Sequence, residues 1–333
     1  MIKSEFLRRL IEKAKQSVKT IVLPEGGDIR VLEAAHIINQ EKAAKIVILG
    51  NEEQIKADFD KNGWSLDGIG VVDPSSSEKL ESYTDMLYEI RKDKGLTLDE
   101  AKKLAKDPNH FGVLMVKAKD VDGMVSGADH STADTVRPAL QIIKSRKKGK
   151  PSSSFFIMIA NGKEYVFSDC AIVINPTDSE MANIAIDSAE TAIMFGMKPK
   201  VAMLSFSTKG SGKGESVDKV ASATKIAKQI LTMDEYKNLG IELDGELQAD
   251  AALDGVVAAK KAPGSNVAGM ANVLIFPNID AGNIGYKLLQ RLGNCEAYGP
   301  MIQGLNAPIN DLSRGASAED IVGTIIITSL QAN

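Results

Sequence analysis

Short apolar runs alternate with longer amphipathic stretches along almost the whole chain, and this rhythm constrains the fold more than any single residue. Residues 20–23, 46–49, 71–72, 124–125, 201–205 and 271–276 read as strands. Residues 4–19 place Phe6, Leu7, Leu10, Ile11 and Ala14 at helical spacing, and the stretch after Gly26-Gly27-Asp28 does the same with Val31, Leu32, Ala35 and Ile38. Further helices are expected at 78–94, 101–106, 179–195, 217–231, 284–292 and 318–330. The run Ile46-Val47-Ile48-Leu49 is apolar at every position, as expected for a strand covered on both faces. Strand–helix alternation of this kind predicts an α/β fold with a mostly parallel sheet, whose ligands bind beyond the carboxyl ends of the strands. Residues 154–159, 165–167 and 171–174 follow one another so closely that local antiparallel pairing is expected there.

With 333 residues, the chain is long enough for two domains and a sizeable core. Its charge of −4 is spread without a basic stripe, and aromatic residues make up 5%, which argues against a nucleic-acid surface. The one basic run, Lys144 to Lys150, ends at Pro151 and reads as a linker. The start of the chain shows no apolar signal segment, and no stretch is apolar for long enough to span a bilayer. Cys170 and Cys295 form no CxxC pair, which suits reduced thiols in the cytoplasm. A soluble, intracellular enzyme is the expectation.

Three loops combine small residues, hydroxyls and a cation. The first runs from Val125 to Pro138 and carries Ser126, Ser131, Thr132 and Arg137 ahead of a helix expected to begin near Thr135. Free N–H groups at such a turn suit a phosphate or oxyanion, and an ordinary capped turn is equally compatible. The second, Phe206 to Ser216, has Lys213 followed by Gly214 where a P-loop needs Ser or Thr, so a mobile polar loop is expected instead. The third, Asn310 to Asp320, leads into the last helix. There Ser317 and Asp320 have capping-box spacing, and the residues alone favour a cap over a base beside Arg314.

Asp244, Glu246, Asp250 and Asp254 form an acidic cluster in which Asp250 and Asp254 are four apart, a spacing that could hold Mg²⁺ from one helix face. His36, His110 and His130 lack zinc spacing, and neither GxSxG nor GxGxxG occurs where its chemistry would need it.

These loops, in order and context, resemble the phosphate acetyltransferase/phosphate butyryltransferase family over essentially the whole chain. The likeness is closest at Val125-Ser126-Gly127-Ala128 through Arg137-Pro138-Ala139, at 201–210, at Asp244-Gly245-Glu246-Leu247-Gln248-Ala249-Asp250, at Lys261-Ala262-Pro263-Gly264-Ser265, at Gly282-Asn283-Ile284-Gly285-Tyr286-Lys287, at Tyr298-Gly299-Pro300 and at 310–315. The pattern is nearer the acetyl branch. The resemblance implies reversible acetyl transfer between coenzyme A and phosphate, with both substrates bound together and no acyl-enzyme. It implies Asp320 as the base for the thiol, Arg314 as the phosphoryl and carbonyl contact, and Ser313 as a donor to the developing oxyanion. Arg137, Ser126, Ser131, Thr132 and Tyr298 would hold the phosphate end, and Arg91 the phosphate end of coenzyme A. It implies two α/β domains with an interdomain cleft, an architecture like that of isocitrate and isopropylmalate dehydrogenases. The first domain would comprise 1–149 and 299–333, and the second, 150–298, would carry a homodimer contact. Coenzyme A enters as substrate, and no permanent cofactor, metal, membrane or nucleic-acid partner is expected. The alternatives are a butyryl-specific enzyme, a metal-dependent 2-hydroxy acid dehydrogenase using Asp250 and Asp254, and a non-catalytic sensor of acyl-CoA or phosphate.

Overall fold

The computed structural model describes residues 2, 4–146 and 150–332. Among these, the strands are β1 Thr20–Leu23, β2 Lys45–Leu49, β3 Ile69–Val72, β4 Gly123–Ser126, β5 Ser153–Ala160, β6 Lys163–Ser168, β7 Lys200–Leu204, β8 Glu242–Leu247, β9 Val273–Ile275, β10 Glu296–Gln303 and β11 Ile309–Asp311. The helices are α1 Glu5–Ala14, α2 Ile29–Glu41, α3 Glu52–Lys61, α4 Leu80–Arg91, α5 Leu98–Leu104, α6 Pro108–Ala118, α7 Thr132–Pro138, α8 Asp178–Met194, α9 Glu215–Ile230, α10 Ala249–Leu253, α11 Gly255–Lys261, α12 Ile279–Leu292 and α13 Ala318–Gln331.

The chain divides into two compact units, Met1–Arg146 with Leu305–Asn333, and Lys147–Gly304. The second passage falls at 304/305 rather than at 298/299, because β10 runs on to Gln303 and pairs with β5 along that length. The linker residues 147–149 lie outside the described residues.

In the first unit the sheet order is β11-β4-β1-β2-β3, and every neighbouring pair is parallel. Ile21, Val22 and Leu23 of β1 are wholly buried, each worth about 1.5–3 kcal/mol relative to exposure. Helix α1 begins because the Ser4 hydroxyl accepts from Leu7 N–H, and its apolar stripe from Phe6 to Ala14 is buried. Asp28 caps α2 by accepting from Arg30 N–H, and Lys42 ends that helix in the left-handed conformation. Helix α13 is buried from Ile321 to Leu330 and packs on α1, α2 and β4.

In the second unit the order is β10-β5-β6-β9-β7-β8. Here β5 is antiparallel to both β10 and β6, and β6, β9, β7 and β8 run parallel. The antiparallel β5–β6 pair meets the expectation from the closely spaced runs. Residues 171–174 do not form a strand: the Asp169 carboxylate accepts from the N–H groups of Ala171, Ile172 and Val173, closing a turn instead. The expected shared helix face of Asp250 and Asp254 is absent too. Asp254 has extended φ/ψ, ends α10 and caps α11, so the chain turns between the two carboxylates.

Candidate active site

Because β11, β4 and β1 are parallel neighbours, their carboxyl ends lie side by side, and the loops after them meet at one edge of the first sheet. These loops are residues 24–28, 127–131 and 312–317. Gly127 makes the approach possible. It sits at φ +114°, where an L side chain is strained, and a Cβ there would collide with Asp311 Oδ1 and with the Leu312 backbone. Leu312 N–H donates to the Ser126 carbonyl at 2.7 Å, tying the loop after β11 to the end of β4.

The loop after β4 is organised by Glu25, which the sequence reading did not single out. Its carboxylate is buried. It accepts from the backbone N–H groups of Gly127 (3.0 Å), Ala128 (2.9 Å), Asp129 (2.8 Å) and His130 (3.0 Å), and from His130 Nδ1 (2.8 Å). The N–H groups of this loop, which suited an external oxyanion and an ordinary capped turn equally, are therefore already filled by a carboxylate of the chain itself. Arg30, on the first turn of α2, joins the third loop to this frame. Its guanidinium donates to the carbonyls of Arg314 and Ala316, each at 2.8 Å, and of Ala128 at 2.9 Å, and it is held by the Asp28 carboxylate. The polar loop Pro24-Glu25-Gly26-Gly27-Asp28 after a buried strand carries Glu25 and the cap of α2, but nothing local in the sequence points to the distant partners of Glu25 or Arg30.

Helix α7 begins at Thr132, earlier than expected, because Ser131 is its N-cap in a capping box with Asp134. Pro138 is the last residue of α7 rather than part of its first turn, and the helical backbone continues directly as a π-helical turn over Ala139–Ile143. The hydrogen bond from the Ser131 hydroxyl holds the exposed Asp134 carboxyl below its usual range. Arg137 follows one turn on with an exposed side chain. The side chain of Thr132 lies outside the described residues. Ser126 is wholly buried, and its hydroxyl donates to Asn109 Oδ1 at 2.6 Å, so direct contact with a ligand would first require that bond to open.

In the loop after β11, Ser313 and Arg314 are exposed. Ser317 and Asp320 form the expected capping box, in which Asp320 Oδ2 accepts from the Ser317 N–H and hydroxyl, each at 2.8 Å. Both bonds use one oxygen, leaving Oδ1 outside the box on an exposed side chain in the first turn of α13, the helix that follows the Arg314 loop. Neither Arg137 nor Arg314 forms an ion pair among the described residues, so both guanidinium charges are open to a ligand. Arg91 ends α4, half-buried. Tyr298 belongs to the second unit, where it is buried in β10 and its phenol donates to Glu296 at 2.6 Å.

The acidic cluster of the second unit is committed elsewhere. Asp244 Oδ1 accepts from Lys209 (2.7 Å) and Lys228 (2.8 Å), and Oδ2 accepts from the Ser265 hydroxyl (2.6 Å). Burial opposes ionisation of this carboxyl, but those three donors outweigh it and hold it well below the usual carboxylate range. Glu246 binds Ser207 and Gly210, Asp250 pairs with Lys261, and Asp254 caps α11. No group of three or more metal-ligating side chains occurs among the described residues. These loops border a cavity of about 660 Å³ lined by Lys209, Lys228, Asp244, Lys261 and Ser265. Burial, with the nearby Asp169 charge, pushes the Cys170 thiol well up, which makes it inert as a nucleophile.

The profile of the family described as "Phosphate acetyl/butaryl transferase" matches residues 5–329. The chain is 51% identical to a phosphate acetyltransferase of Acetivibrio thermocellus, over 98% of each chain. It is 49% identical to one of Bacillus subtilis, over 96% of this chain and 97% of that one. A solved phosphotransacetylase from Streptococcus pyogenes superposes with a TM-score of 0.92 at 48% identity, covering 100% of this chain and 99% of the other.

Proposed function

The chain belongs to the phosphate acetyl/butaryl transferase family and catalyses acetyl transfer between coenzyme A and phosphate, and we propose that the loop after β11 and the first turn of α13 carry the chemistry. The observation that supports this is the exposed set of Ser313, Arg314 and the free Asp320 Oδ1 at the carboxyl edge of a parallel sheet. In the thioester-forming direction, Asp320 takes the thiol proton. The resulting thiolate forms the S–C bond at the acetyl carbonyl. The tetrahedral centre then collapses with cleavage of the C–O bond to phosphate, and the electron pair leaves on the phosphate oxygen.

A free thiol has a pKa near 8.5, so at neutral pH a positioned carboxylate and a cation raise the thiolate fraction. Arg314 meets the departing phosphate, for which a planar guanidinium offers two parallel donors. Ser313 donates to the developing oxyanion, and a well-aimed donor of this kind is worth about 3–4 kcal/mol of barrier. Ser131, once its hydroxyl leaves Asp134, completes the phosphate contacts with Thr132 and Arg137 of α7, and Arg91 takes the phosphate end of coenzyme A. The cap and base roles of Asp320 are compatible, because the cap uses Oδ2 alone. No resident cofactor or metal has a part in this scheme, since the nucleophile arrives with coenzyme A.

The reading extends to a cytoplasmic homodimer. Both cysteines are free thiols, as a reducing compartment allows. In the second unit, Ile284, Leu288 and Leu292 stand four apart on α12 and are 57%, 53% and 83% exposed, an apolar stripe suited to a second copy. The deciding experiment is thioester formation from coenzyme A with acetyl phosphate and then butyryl phosphate in metal-free buffer. Turnover with acetyl phosphate and little with butyryl phosphate supports the assignment, and no thioester from either defeats it.

A further inference from the structure

Four consecutive backbone N–H groups, from Gly127 to His130, point at one buried carboxylate, and the His130 ring adds a fifth donor. Each oxygen of Glu25 is shared: Oε2 takes Gly127 and Ala128, and Oε1 takes Asp129, His130 and the ring. An N–H array of this kind is an anion site, and here the anion is built in. Its conformation is not one the chain adopts cheaply, since Gly127 lies at φ +114° with no room for a side chain. The loop ends at Ser131, the N-cap that starts α7, so the position of Ser131 and the direction of Arg137 both follow from it. Through Ala128, the same loop is joined by Arg30 to the carbonyls of Arg314 and Ala316.

We propose that Glu25 is a positioning residue for phosphate: its carboxylate fills the N–H array of residues 127–130, sets Ser131 and Arg137, and leaves inorganic phosphate to the side chains beyond the loop. Glu25 does not touch substrate. The inference rests on the phosphate-transfer reading given above and adds to it the group that shapes the phosphate end. Two consequences separate it from a merely structural role. Losing Glu25 weakens phosphate selectively, because the coenzyme A contact at Arg91 lies on another element. A small carboxylate can also substitute for it, because the vacated array is an anion site.

The test uses the full chain with Glu25→Gln and Glu25→Ala. Glutamine keeps the shape, but its NH2 group faces N–H donors that it cannot accept from. The expected result for Glu25→Gln is a rise of about tenfold or more in the KM for phosphate and in its dissociation constant, read by equilibrium dialysis with labelled inorganic phosphate. The KM for coenzyme A should change by less than about threefold. In Glu25→Ala, added formate should restore phosphate binding. Equal rises for both substrates, wild-type phosphate binding in Glu25→Gln, or a folded Glu25→Ala on which formate has no effect would each overturn the proposal. If Glu25→Ala does not fold, the Gln variant decides alone. Failure of the wild-type chain to form a thioester would instead count against the reaction assigned above, and the dialysis would still decide the role of Glu25.

Discussion

Each unit holds a βα loop with a buried glutamate from a neighbouring strand or its end, yet the two loops are left in opposite electrostatic states. In the first unit Glu25 takes every N–H group from Gly127 to His130, and the nearby guanidinium groups of Arg137 and Arg314 remain exposed with no ion pair among the described residues. In the second, Glu246 takes Ser207 and Gly210, but Lys209 is drawn onto Asp244 together with Lys228. A cation whose charge is already matched has little left for a substrate, so a Gly-, Ser- and Lys-rich loop can look more like a phosphate site than it is. What distinguishes the two is the neutralising partner. That partner is supplied by the adjacent strand and is far away in sequence.

The largest effect is expected at Arg314, whose side chain is exposed. If its open charge meets the reacting phosphate, Arg314→Gln should lower kcat about a hundredfold or more, with the melting temperature nearly unchanged because the side chain is exposed. Initial rates of thioester formation check this, and near-normal turnover would remove the first unit's claim to the chemistry. Asp320→Asn is next. Asparagine still caps, so the fold should persist while kcat falls by about a hundredfold through loss of the base. A variant that keeps its rate but melts much earlier would show that capping was the whole role of Asp320.

Much of this contrast was legible in the sequence. The buried parallel strands followed from uninterrupted runs such as Ile46 to Leu49, and the Ser317–Asp320 box from spacing alone. The failed P-loop pattern at Lys213 likewise separated the second loop from a nucleotide site. Strand β8 was hidden, because Glu242-Leu243-Asp244-Gly245-Glu246-Leu247 reads as an acidic cluster until Lys200, Lys209, Lys228 and Ser207 supply its partners. Glu25 and Arg30 were hidden for the same reason. Their roles consist of bonds to residues about 100 and about 285 positions away, which no local pattern records. Residues 171–174 misled in the other direction, since β-branched apolar residues suggested a strand where the Asp169 carboxylate closes a turn.

A smaller effect sharpens the contrast within the first unit. Arg91 ends α4, an element other than those that carry the loops after β4 and β11. Arg91→Ala should raise the KM for coenzyme A by about tenfold and leave that for acetyl phosphate within about threefold. Steady-state kinetics with each substrate varied in turn reads the split, and equal changes would contradict the placement.

The smallest expected effect on catalysis, and the one that tests the second unit directly, is at Asp244. Its carboxyl is 12% exposed and bound by two lysines and a serine, so Asp244→Asn should cost about 1–3 kcal/mol of stability and leave the kcat of the folded enzyme near normal. The pH dependence has a definite sign. The folded carboxyl is held below its ordinary range, so as pH falls the unfolded chain takes up the proton first. The stabilisation is therefore complete above the unfolded pKa of about 4 and drains away as the solution becomes more acid than that. Urea titrations of wild type and Asp244→Asn should show a gap that is constant from about pH 7 to 5 and narrows below about pH 4. A gap independent of pH would mean that packing, not charge, holds Lys209 and Lys228 in place. A collapse of kcat at full stability would mean that those lysines are open to substrate after all, and that the two loops are alike.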